Sequence, residues 1–117
     1  MKSYKELIVW QKSMKFCKDL YLITDKFPKN ELYGLTSQLR RASVAIPSNI
    51  AEGQRRGHKA EYIQFIRISF SSGAEVETQL LIALDTGYLN KEDYQKLNNL
   101  LEEIMRMLNK LLQVLNV

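Results

Sequence analysis

Apolar residues recur along this chain in steps of three and four, the spacing of one helix face, through four successive segments. In the first, Leu7, Trp10, Met14, Cys17, Tyr21 and Thr24 make the stripe, while Lys5, Lys12, Lys15 and Lys18 take the outer side. "FPKNE" interrupts it, because Pro28 lacks an N–H and Asn30 is suited to cap a following helix. The second stripe is Leu32, Leu35, Leu39, Ala42, Ile46, Asn49 and Gly53, running to about Gln54, with "RRGHK" as the turn. The third is Tyr62, Phe65, Ser69, Ser72, Val76, Leu80 and Ala83, ending at "DTGYL", where Gly87 suits a left-handed C-cap. Asn90 caps the fourth, whose seam is Tyr94, Leu97, Leu101, Ile104, Leu108, Leu111 and Leu115.

No segment alternates with a strand's period of two. Four amphipathic helices joined by three short turns predict an all-α, up-down-up-down antiparallel four-helix bundle, with residues 1–117 as a single domain. Ala42, Ala45, Ser69, Ser72 and Gly73 are small and face inward, so the second and third helices should pack closest. The fourth helix is apolar beyond one seam. Leu100, Met105, Met107, Leu112 and Val114 either widen the core or face another subunit, and we expect a homo-oligomer.

Pro47 lies within the second helix and cannot donate to the Ser43 carbonyl, so a kink is expected there. The alternative is a break and a new helix opened by an Asn49–Glu52 capping box, which would meet Gly53 almost at once. Asn49 and Glu52 continue the inward side, Gln38 lies just off it, and the third helix offers Glu75. Inward polar groups need partners, so these four are expected to form a hydrogen-bonded network between the two helices.

Charge changes the picture. The formal net charge is +4, but residues 1–60 carry 12 Lys/Arg against 5 Asp/Glu and residues 61–117 carry 5 against 8. One basic face follows, which serves either solubility alone or attraction of anions such as RNA or DNA. Arg40, Arg41, Arg55, Arg56, Lys59 and Arg67 cluster around the second helix, its turn and the start of the third. Arginine's planar fork suits phosphate, although Arg41 has Glu52 and Glu75 as candidate ion-pair partners. Tyr62 and Phe65 are near enough to stack on bases, but their spacing puts them on the core stripe.

Other chemistry is thin. Glu52, Glu75 and Glu77 are the only candidate acid–base carboxylates, and no nucleophile motif or phosphate loop accompanies them. Cys17 is alone and is expected to be a buried thiol, and His58 to be a solvated turn residue. One Cys with one His makes no zinc site, and di-iron bundles need two Glu-x-x-His pairs. We therefore expect no enzyme, metal or cofactor. No apolar run reaches the roughly 20 residues that span a bilayer, and the start lacks a signal-peptide pattern, so a cytoplasmic location is expected.

The block Gln38-x-Arg40-Arg41-Ala42, continuing through Ile46-Pro47-x-Asn49-Ile50-Ala51-Glu52-Gly53, resembles the 23S rRNA intervening sequence protein family, as does "EYIQFIRISFSSGAEVETQLLIALDTGYL". The resemblance runs from about Lys5 to Leu115. One departure lies in Ser69-Phe70-Ser71-Ser72, where members often show an A-x-G-S pattern; the nearby glycine here is Gly73. The resemblance implies a four-helix bundle, encoded in some bacteria within insertions in 23S rRNA genes, whose biochemical role is largely undefined. It extends to the accessory protein of diversity-generating retroelements, which forms a basic pentameric barrel that binds nucleic acids and a reverse transcriptase. It thus suggests a pentamer binding RNA or DNA, with a protein-interaction scaffold as the alternative.

Overall fold

The computed structural model describes residues 3–116. A short 3-10 turn at Tyr4–Glu6 precedes four helices: α1 (Ile8–Thr24), α2 (Leu35–Arg55), α3 (Lys59–Asp85) and α4 (Lys91–Leu115). A second 3-10 turn, Lys29–Glu31, lies between α1 and α2, and no strand occurs among the described residues. The helices form a four-helix bundle around one apolar core, in which Phe16, Leu20, Leu39, Ile46, Ile66, Leu80, Leu101 and Ile104 are fully buried.

The turns follow local chemistry. Gly57 and Gly87 adopt φ of 74° and 83°, the left-handed conformation that lets the chain reverse after α2 and α3. Asn90 caps α4 as expected, accepting from the Asp93 N–H at 2.7 Å. The start of α2 differs from the expectation of an Asn30 cap and a helix from Leu32. Glu31 does the capping, its carboxylate accepting from the Leu35 N–H at 3.1 Å, and Leu32 lies outside the helix, largely exposed.

In α1 the core stripe is Val9, Ser13, Phe16, Leu20 and Ile23, and of the predicted stripe only Thr24 is buried. Met14 and Tyr21 are exposed, whereas Leu7, Trp10 and Cys17 are half-buried on its flank. Two stripes of helical spacing overlap in this segment, and the one whose large side chains (Val9, Phe16, Leu20 and Ile23) carry no polar atom takes the core, leaving Trp10, Cys17 and Tyr21 with their polar tips outside it. The three buried polar residues of α1 are satisfied locally: Ser13 donates to the Val9 carbonyl, Asp19 accepts from Lys15, and Thr24 donates to the Leu20 carbonyl.

The most extensive helix contact is between α2 and α3, as the small residues predict. At Gly53 an added methyl would lie 2.6 Å from Phe65 Cβ, so only glycine permits this approach. α2 continues through Pro47 without a break. The Ser43 carbonyl, deprived of the Pro47 N–H, instead accepts from Cys17 Sγ at 3.2 Å, which ties α1 to the bend. Ser69 on α3 donates to the Ile46 carbonyl at 2.9 Å.

These two bonds do the cross-helix work expected of the polar network, which does not form. Asn49 bonds back to the Ala45 carbonyl at 2.7 Å, Glu52 pairs with Arg56, and Gln38 and Glu75 are exposed at the mouth of an α2–α3 cleft. The stripe runs Ile46, Ile50, Gly53 and leaves Asn49 beside it, so those groups keep water and need no core partner.

On α4, Leu100, Met105, Met107 and Leu112 are half-buried and pack against the core, with Met105 over Gly73. They thus contribute to the core within one chain, and each keeps part of its surface exposed. Val114 alone of the five is open, 59% exposed.

Candidate nucleic-acid interface

The six basic candidates divide between two places. Arg55 and Arg56 end α2 and Lys59 begins α3, so the tight Gly57 turn gathers them at one pole of the bundle. Arg40 and Arg41 lie fourteen or more residues back along α2, about 21 Å at 1.5 Å per residue. Arg67 is on the exposed side of α3, about 12 Å along its axis from Lys59.

Their environments differ as much as their positions. Arg40 is held against α1: Nε donates to Thr24 Oγ1 at 3.1 Å, Nη2 to the Tyr21 carbonyl at 3.3 Å, and the guanidinium stacks 4.6 Å from the Tyr21 ring centroid. Asp25 lies 3.5 Å from it. Arg40 is therefore a structural clamp between α1 and α2, and it drops out of the set of free cations. Arg56 pairs with Glu52 at 3.3 Å and lies over the Phe65 ring, but both partners are about half exposed, so the pair is weak. Arg55 rests over the Tyr4 ring at 5.7 Å, which positions the guanidinium without neutralising it. Arg41, Arg55 and Arg67 are exposed and have no carboxylate within ion-pair distance among the described residues.

A cleft of about 210 Å³ opens beside the turn, lined by Gly53, Gln54, Gly57, His58, Lys59, Tyr62 and Leu115. The ring of Tyr62 is half-buried there, and burial pushes its hydroxyl pKa above the usual value. Phe65 is also half-buried under Arg56, so neither ring is a free stacking surface. Burial likewise raises the Cys17 thiol, its contact at Ser43 acting in the opposite direction. Hydrogen bonding to Glu31 raises Tyr88. No group of three or more His, Cys, Asp or Glu able to hold a metal occurs among the described residues, and none of their helices is long and apolar enough to cross a membrane.

Sequence reading passed over Tyr33. It sits in the "FPKNELYG" break, off every periodic stripe, and the structure leaves it 94% exposed. An aromatic residue outside all stripes was the available signal.

Among solved structures, a protein of unknown function from the S23 ribosomal protein family of Bacteroides thetaiotaomicron superposes with a TM-score of 0.81 at 24% identity. The match covers 90% of this chain and 98% of that one, and it shows the shared fold. No curated protein matches the chain. The block around Pro47 and the bundle built on it lie within residues 5–110, which match the family described as 23S rRNA-intervening sequence protein, and the chain belongs to that family.

Proposed function

We propose that the protein is a non-enzymatic, homo-oligomeric helical bundle of the cytoplasm that binds RNA or DNA through its arginine-bearing surface. The observation that carries this reading is the state of the cations. Arg41, Arg55 and Arg67 stay exposed and uncompensated, while the α2–α3 turn brings Arg56 and Lys59 beside Arg55. A merely solvated protein surface intersperses both signs, as where Lys12 of α1 pairs with Glu103 of α4. Guanidiniums held by aromatic rings and lacking carboxylates are suited to phosphate. Self-association is supported by α3, whose Ile68, Leu81 and Ile82 are 43%, 47% and 46% exposed.

The test is RNA binding across a salt series for the wild type and for the Arg55→Ala, Arg56→Ala, Lys59→Ala triple variant. Each phosphate contact contributes a slope of about 0.7–0.9 in log affinity against log salt. The triple variant should bind more weakly and with a shallower slope. Unchanged slope in the variant, or flat salt dependence in the wild type, would remove the proposal. Binding partners retained after nuclease treatment would favour a protein-interaction scaffold instead.

A further inference from the structure

A second cleft, between α1 and the start of α2, has a chemistry that phosphate binding alone does not use. It measures about 400 Å³ and is lined by Tyr21, Leu32, Tyr33, Ser37, Arg40 and Arg41. Tyr33 is the most exposed large apolar side chain described, at 94% against 61% for Leu22. Its backbone is nevertheless fixed. The Leu32 and Gly34 N–H groups donate back to Lys29 and Glu31, and the Glu31 carboxylate anchors Leu35. The ring has no hydrogen-bond, ring or cation partner among the described residues. The fold thus holds an aromatic face outward at the edge of a cleft and gains no burial from it.

We propose that this cleft receives an unpaired nucleobase stacked on Tyr33, so that the protein binds single-stranded nucleic acid in preference to duplex. The proposal rests on the nucleic-acid reading above and names its substrate class. Every base has a π-face, so stacking on Tyr33 is tolerant of sequence. Arg41, exposed and unpaired, reaches the phosphate beside the stacked base, and the Ser37 hydroxyl offers a donor and an acceptor to its edge. Arg40 lines the same cleft: its guanidinium covers the Tyr21 ring and lies 3.5 Å from Asp25, while the Glu31 carboxylate near Tyr33 is engaged by the Leu35 N–H and the Tyr88 hydroxyl. A paired base is already stacked between its neighbours and presents no face, so a duplex gains only phosphate contacts here. Charge favours a nucleotide over an apolar protein segment, because covering Arg41 with apolar groups would strip its water and supply no counter-charge.

The experiment measures anisotropy of a labelled short single strand, the same strand with abasic sites, and a duplex of the same sequence. The proteins are the wild type, Tyr33→Ala, Tyr33→Phe and the Arg55/Arg56/Lys59 alanine variant, each checked by circular dichroism and light scattering. Tyr33 is so exposed that its variants keep the fold. Tyr33→Ala should weaken single-strand binding by roughly 5- to 100-fold, the loss of one stacked base, and leave duplex binding unchanged. Tyr33→Phe should retain affinity. The abasic strand should bind the wild type as weakly as Tyr33→Ala binds the normal strand, with no further loss when the two are combined. Full single-strand affinity in Tyr33→Ala, with weakened binding in the Arg55/Arg56/Lys59 variant, would overturn the stacking site and leave the phosphate reading standing. No binding of any nucleic acid by the wild type would overturn both. A smaller oligomer in Tyr33→Ala would assign the ring to a contact between copies of the chain and equally defeat the proposal.

Discussion

Gly53→Ala and Gly73→Ala make the same chemical change in two helix interiors, and the structure predicts opposite outcomes. In an unhindered helix, replacing glycine by alanine gains about 1 kcal/mol. At Gly53 the new methyl would lie 2.6 Å from Phe65 Cβ, 3.2 Å from Tyr62 Cδ1 and 3.4 Å from Phe65 Cγ. A Cβ moves only with its backbone, so relief requires α2 and α3 to separate along their main contact. Overpacking of this kind costs typically about 1–3 kcal/mol, leaving a net destabilisation of up to about 2 kcal/mol after the helix gain. At Gly73 the obstacle is Met105, whose Sδ, Cε and Cγ are the groups nearest the new methyl. A thioether with several rotatable bonds swings aside at small cost, so Gly73→Ala should be neutral or slightly stabilising. The assay is reversible thermal and urea unfolding followed by circular dichroism at fixed protein concentration. Gly53→Ala should lower the midpoint by up to about 10 °C, and Gly73→Ala should leave it unchanged or raise it by a few degrees. A Gly53→Ala variant more stable than wild type, or a Gly73→Ala variant less stable than Gly53→Ala, would refute the account of the α2–α3 contact.

The remaining expectations concern single interactions. Cys17→Ala leaves the Ser43 carbonyl at the Pro47 bend without its donor and should cost about 1–3 kcal/mol in urea unfolding. Partial burial raises the pKa of the half-buried Cys17 thiol, so the unfolded chain loses this proton first as pH climbs past about 9; wild-type stability should then fall more steeply between pH 8 and pH 10 than that of Cys17→Ala. Arg40→Ala removes the bonds to Thr24 and Tyr21 and should cost about 1.5–3 kcal/mol, whereas Arg41→Ala should stay within about 0.5 kcal/mol of wild type. Asn90→Ala deletes the cap on α4 and should cost about 1 kcal/mol, readable by the same unfolding curves.

Much of the fold was legible because α2 and α4 each carry a single dominant stripe, because the small residues of α3 mark its side facing α2, and because Gly87 and Asn90 sit where a helix must stop and the next must start. α1 was read in the wrong phase because Met14, Cys17 and Tyr21 have helical spacing just as Phe16, Leu20 and Ile23 do. Spacing alone cannot rank two such stripes; Phe16, Leu20 and Ile23 bury wholly apolar groups, whereas Trp10, Cys17 and Tyr21 each carry a polar atom that favours the flank. The polar residues near Pro47 looked inward for a related reason: Asn49 falls one position from Ile50, and a shift of 100° turns an expected core amide into a half-buried one. The basic half of the chain was plain from composition. Which of its arginines are committed was not, since Arg40 is claimed by a threonine and a carbonyl on another helix that no local pattern announces. Tyr33 was invisible to periodicity because it belongs to none.

Photo-cross-linking of a short RNA strand to the intact protein, with the modified peptides mapped by mass spectrometry, tests the central claim most directly. Cross-links should fall on the α2–α3 turn from Arg55 through Arg67 and on the segment from Tyr33 to Arg41, and should diminish as salt is raised. Cross-links confined to α4, or none at RNA concentrations that saturate a basic binding protein, would contradict it.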